Sequence, residues 1–60
     1  MVRQEAIEFL KQFNAVIEET VDDMENVEAS TEHITNFEYS ASVVKSELLQ
    51  TYDLTETDIA

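Results

Sequence analysis

Neither glycine nor proline occurs anywhere in the 60 residues, so the chain lacks both of the residues that most often punctuate a fold, and long helices become the default expectation. Turns must then come from Asn, Asp, Ser and Thr. In the first half, Ala6, Leu10, Phe13, Ile17, Thr20, Met24 and Val27 recur at alternating steps of four and three, with Phe9, Val16 and Val21 beside them. That is the stripe of an amphipathic helix. At 100° per residue, Glu5, Glu8, Glu18, Glu19, Asp22, Asp23 and Glu25 fall on the opposite arc, while Glu28 swings back toward the apolar side. The helix is therefore expected to end near residue 28. Ala29, Ser30 and Thr31 form the break, and Ser30 or Thr31 can cap a second helix.

In the second half the stripe reads Ile34, Phe37, Ala41, Val44, Leu48 and Tyr52. Extending the first helix's rhythm would put Glu38, not Phe37, in the seam, and this slip of phase favours two helices over one rod. A strand over 37-43 is the alternative, because Phe37, Tyr39, Ala41 and Val43 alternate with polar residues. Helix is preferred since the three-four spacing continues to Leu48 where the alternation stops. The segment DLTETDIA, from about 53, is expected to fray as terminal residues do, with a short turn possible at Thr55. The predicted fold is all-α: one domain, residues 1-60, built as a helical hairpin of about 3-28 and 31-52.

A chain this short buries only about 60% of the surface its unfolded form exposes, which leaves a thin margin of stability. Disulfides or a structural metal often compensate, but there is no Cys, and the single His33 cannot form a metal site alone. Self-association is the remedy left. The first helix is longer than the second and is covered on one side only, so two hairpins packing as a four-helix bundle would bury both. Val43 and Tyr39, among the uncharged Thr35, Ser42 and Ser46, are either the contact of such a homodimer or ordinary scattered surface apolars.

Several function classes are disfavoured by residue type. Fourteen acidic residues face three basic ones, for a net charge of −11, which repels nucleic acid and anionic membranes and attracts basic proteins. Arg3, Lys11 and Lys45 are too few and too dispersed to neutralise phosphates. No stretch approaches the ~20 apolar residues that span a bilayer, and the glutamates in MVRQEAIEFLKQF argue against a signal peptide, so a soluble, cytoplasmic protein is expected. Nucleophilic catalysis needs a positioned base, and the one imidazole, His33, falls at the helix break as a solvated or capping residue. No enzyme activity, cofactor or metal is expected.

What remains is the run EETVDDMENVE, residues 18 to 28, with six carboxylates and no positive charge. Between Lys11 and Lys45 lie 33 residues without one Lys or Arg, against eight acids. On a helix the six charges would span about 15 Å, one per ~2.5 Å, between the ≈ 1.7 Å of duplex DNA and the ≈ 3.4 Å of a single strand. The arrangement is costly, because Glu18 with Asp22 and Glu19 with Asp23 are like-charge pairs four apart, each destabilising a helix by ~0.2–0.5 kcal/mol. A merely soluble or salt-adapted acidic face is the plain alternative.

In size, charge and this acid run, with EASTE following it, the chain resembles the small acidic DNA-mimic proteins of bacteriophages, and among them the short dimeric inhibitors of the bacterial nucleoid protein HU. The resemblance implies a DNA-mimic inhibitor acting in the host cytoplasm or nucleoid, whose partner is a basic, HU-like DNA-binding protein. Glu18, Glu19, Asp22, Asp23, Glu25, Glu28 and Glu32 are then the residues that would stand in for phosphates, chosen by their spacing and not by a family motif. Two other readings stand beside it. One is a helical adaptor or regulator that offers Leu10, Phe13, Ile17 and Met24 to a partner's groove; the other is a salt-adapted structural subunit with no dedicated partner.

Overall fold

The computed structural model describes residues 2–60. Helix α1 runs Arg3–Asn26 and helix α2 Thr31–Thr51, followed by a short 3-10 helix, Glu56–Ile59. The chain is thus an all-α hairpin, and among the described residues there is no strand. Residues 37–43 lie within α2, so the alternative of a strand there is corrected. Its brief alternation is overridden by the longer helical spacing and by packing against α1.

The connection between the helices is built without glycine. Val27 caps α1, and Glu28 follows with φ 60, in the left-handed region. The Glu28 N–H donates to the Glu25 carbonyl at 3.0 Å and the Ala29 N–H to that of Met24 at 2.9 Å, the paired bonds of a Schellman motif. Val27, expected in the stripe, is 77% exposed, because the helix has already ended beneath it. Helix α2 starts as its sequence indicates: Ser30 is the N-cap, and its hydroxyl oxygen accepts the His33 N–H at 3.1 Å.

The end of α2 repeats the device. Asp53 has φ 53, its N–H donates to the Gln50 carbonyl at 3.3 Å, and the Leu54 N–H donates to that of Leu49 at 2.8 Å. This turn redirects the chain onto the hairpin. The segment from about 53, expected to fray, is instead docked: Leu54 and Ile59 are buried and join Ala6 and Leu10 in the core cluster, with Ile7, Phe13, Leu48, Leu49 and Tyr52 packed around it. Burial of two large aliphatic side chains, each worth ~1.5–3 kcal/mol, outweighs terminal fraying. Polar bonds add to the hold. The Thr55 N–H and hydroxyl both donate to Asp58 Oδ2, at 2.8 and 3.1 Å, Arg3 pairs with Asp58 at 3.5 Å, and Lys45 with Glu56 at 3.2 Å.

The core therefore sits at the open end of the hairpin. Leu10 is wholly buried, whereas toward the connecting turn Thr20, Val21, Met24, Ile34 and Phe37 are only half-buried. On α2 the inward line passes Ala41, which is buried, and leaves Val44 exposed on the flank. The molecule measures 38 × 19 × 16 Å with a radius of gyration of 12.8 Å, against about 10 Å for a compact chain of this length.

Candidate functional site

The acidic segment begins on α1, whose interior contains good helix formers and no breaker from Arg3 to Asn26. Because the apolar stripe is held against α2 and the C-terminal segment, the opposite arc is fixed toward solvent. Glu18, Asp22 and Glu25 form one column there and Glu19 and Asp23 a second, the five spread over an arc of about 160° at 100° per residue. Glu28 stands in the connecting turn and Glu32 in the first turn of α2, where a carboxylate complements the helix N-terminus. All seven residues are exposed.

None of the seven has an ion-pair partner among the described residues. The pairs that form are Arg3 with Asp58 and Lys45 with Glu56, so two of the three cations are engaged with the C-terminal segment. The acidic segment is left unneutralised. The Asp58 carboxyl is held below its ordinary range, chiefly by the hydrogen bond from the Thr55 N–H; partial burial opposes this, and the Thr55 hydroxyl and Arg3 reinforce it.

Glu38 belongs to the acidic surface although its distance in sequence from the run concealed it. Two adjoining clefts of about 340 and 320 Å³ lie along one side of the hairpin, and Glu18 and Glu38 line both of them. Asp22 closes one and Lys45 the other, over a floor that includes Ile17. The signal was present in the phase slip that sets Glu38 beside the seam, but only the pairing of helices shows which α1 carboxylates it meets.

Other chemistry has little to build on. Among the described residues no three His, Cys, Asp or Glu side chains converge to hold a metal ion. His33 is exposed in the first turn of α2, engaged through its backbone and not its ring. The stripe that an adaptor would offer is turned inward, with Leu10 wholly buried and Phe13, Ile17 and Met24 half-buried. Among the described residues no helix is long and apolar enough to cross a membrane. Comparison with protein-family models, curated proteins and solved structures finds no match to this chain.

Proposed function

We propose that this protein is a DNA mimic that occupies the DNA-binding surface of a basic, HU-like nucleoid protein and blocks DNA binding by competition. The observation that carries this reading is the exposed set Glu18, Glu19, Asp22, Asp23, Glu25, Glu28 and Glu32, none of which has an ion-pair partner among the described residues. Five of them, Glu18 to Glu25, stand on α1, so the helical backbone sets the spacing of their carboxylates as a sugar-phosphate backbone sets that of phosphates. Preorganisation of this sort lowers the ordering cost of binding. The adaptor reading is weaker because it needs Leu10 and its neighbours free, and they form the hairpin's own core. The function is one of binding, without catalytic chemistry or a cofactor.

The test is competition. A labelled DNA duplex bound to a purified HU-type protein should be released by this chain, and the release should weaken by roughly tenfold or more between 50 and 200 mM salt. The variant carrying Asp22→Asn and Asp23→Asn should compete about thirtyfold less well, as expected for loss of two charge contacts of ~1 kcal/mol each. Its helicity should be equal or higher, since the Glu18–Asp22 and Glu19–Asp23 repulsions are relieved. Undiminished competition by this variant would sink the proposal.

A further inference from the structure

We infer that the cleft between α1 and α2 lined by Ile17, Glu18, Val21, Asp22 and Glu38 is a socket for one arginine side chain, inserted by the basic partner. The identity of that partner rests on the phosphate-mimic reading; the socket adds a seat for one of its side chains.

Glu38 is the residue that keeps the cleft open. The phase slip in the second stripe sets it beside the seam, where an apolar side chain would pack against α1 and close the hairpin. Carboxylates line the cleft from both helices instead, Glu38 from α2 and Glu18 from α1, with Asp22 one turn beyond Glu18. None of the three has an ion-pair partner among the described residues. What distinguishes the cleft from the acidic columns is its apolar floor. Ile17 and Val21 are only half-buried, and part of their surface opens into a volume of about 320 Å³, near the lower end of ligand-binding clefts. Like charges set around an open apolar floor run against the ordinary rules of helix pairing, and departures of this kind are expected at functional sites.

Floor and walls together select the occupant. A metal ion does not fit, because among the described residues no three carboxylates come close enough to hold one. An anionic ligand would be repelled, and a neutral apolar one would strip water from the acids without replacing its hydrogen bonds. The cleft suits a cation that spreads its charge over several donors and carries an apolar stem. Arginine meets both conditions. Its planar guanidinium has five N–H donors in a fixed fork, enough for the carboxylates of Glu18, Asp22 and Glu38, and its methylene stem can lie along Ile17 and Val21. Lysine offers a compact, strongly hydrated point charge that loses more on entering such a cleft. The adjoining cleft does not compete for the cation, since Lys45 stands in its wall.

Attraction to the α1 columns depends on charge alone, whereas the socket depends on one position and on shape. NMR titration of the intact chain with tri-arginine and with tri-lysine tests it without any partner protein. Tri-arginine should shift the Ile17 and Val21 methyls saturably, and Glu38→Gln should weaken this binding about fivefold, as for loss of one charge-assisted hydrogen bond. Glu8→Gln makes the same change in net charge ten residues before Glu18 and should leave the titration unaltered. In DNA competition against an HU-type protein, Glu38→Gln should likewise fall about fivefold below Glu8→Gln. The two readings fail separately: the methyl shifts need no HU-type protein, and competition without them would keep the mimic and remove the socket. Equal losses in the two variants, methyl shifts of equal size with tri-lysine, or tri-arginine shifts confined to the α1 columns would each overturn the assignment.

Discussion

Glu28 and Asp53 occupy the position after a helix cap where glycine is the usual residue, at φ 60 and 53. Asp tolerates the left-handed region because its short side chain bonds locally, whereas Glu has no such compensation. Both carboxylates also stand near the negative end of a helix dipole, with no basic residue in the last turn of either helix. Glu28→Gly should therefore stabilise the fold by about 1 kcal/mol, read as a rise in the urea midpoint. If the acidic set binds a partner, the same change should weaken that binding. Retention of a strained acid where glycine would be more stable is then explained by function, as in other stability and activity trade-offs. Loss of the Ser30 cap acts in the opposite sense: Ser30→Ala should cost about 1 kcal/mol, measurable in the same titration, and an unchanged midpoint would show that its bond to the His33 N–H contributes nothing. The Ser30 cap was legible from sequence. The two left-handed turns were not, because their usual marker is glycine and the chain has none.

At the scale of elements, the apolar stripe of α1 was readable because six of its seven positions, Ala6 through Met24, face inward in regular helix geometry. The second stripe failed at Val44, where the line of contact depends on how α2 is rotated against α1, which periodicity alone does not specify. The C-terminal segment was illegible for another reason. Leu54 and Ile59 are isolated apolar residues five apart, and their burial needs the left-handed turn at Asp53 and a tertiary surface offered by Ala6 and Leu10. That docking is pH-sensitive through Asp58, whose carboxyl is held below its ordinary value of 3.8 mainly by the Thr55 N–H. A depressed folded-state value means that Asp58 contributes stability above its unfolded pKa, and that this contribution is lost as pH falls through the folded value. Below about pH 4 the Leu54 and Ile59 amides should begin to exchange faster. In Asp58→Asn the acid-dependent part of that exchange should disappear. An unaltered pH profile in the variant would assign the docking to apolar contact alone.

For the whole molecule, one charge distribution has opposite consequences for the self-association expected of so short a chain and for the binding of a basic protein. Two copies carrying −11 each repel one another over a Debye length of ~10 Å at 0.1 M salt, and about 3 Å at 1 M. Contact through exposed apolar side chains such as Phe9, Val16 and Val44 is not screened, so salt removes the repulsion and leaves the apolar attraction in place. Binding of a basic protein is the reverse case, since it rests on attraction between unlike charges that salt screens. Raising salt from about 0.05 to 0.5 M should therefore tighten self-association severalfold while weakening the complex with an HU-type protein by more than tenfold. Sedimentation and DNA-competition series across the same salt range would read both slopes. Slopes of opposite sign would assign self-association to apolar contact and partner binding to the acidic residues. If both associations weakened together, self-association would have to run through charged contacts, and the acidic residues could not be reserved for a basic partner.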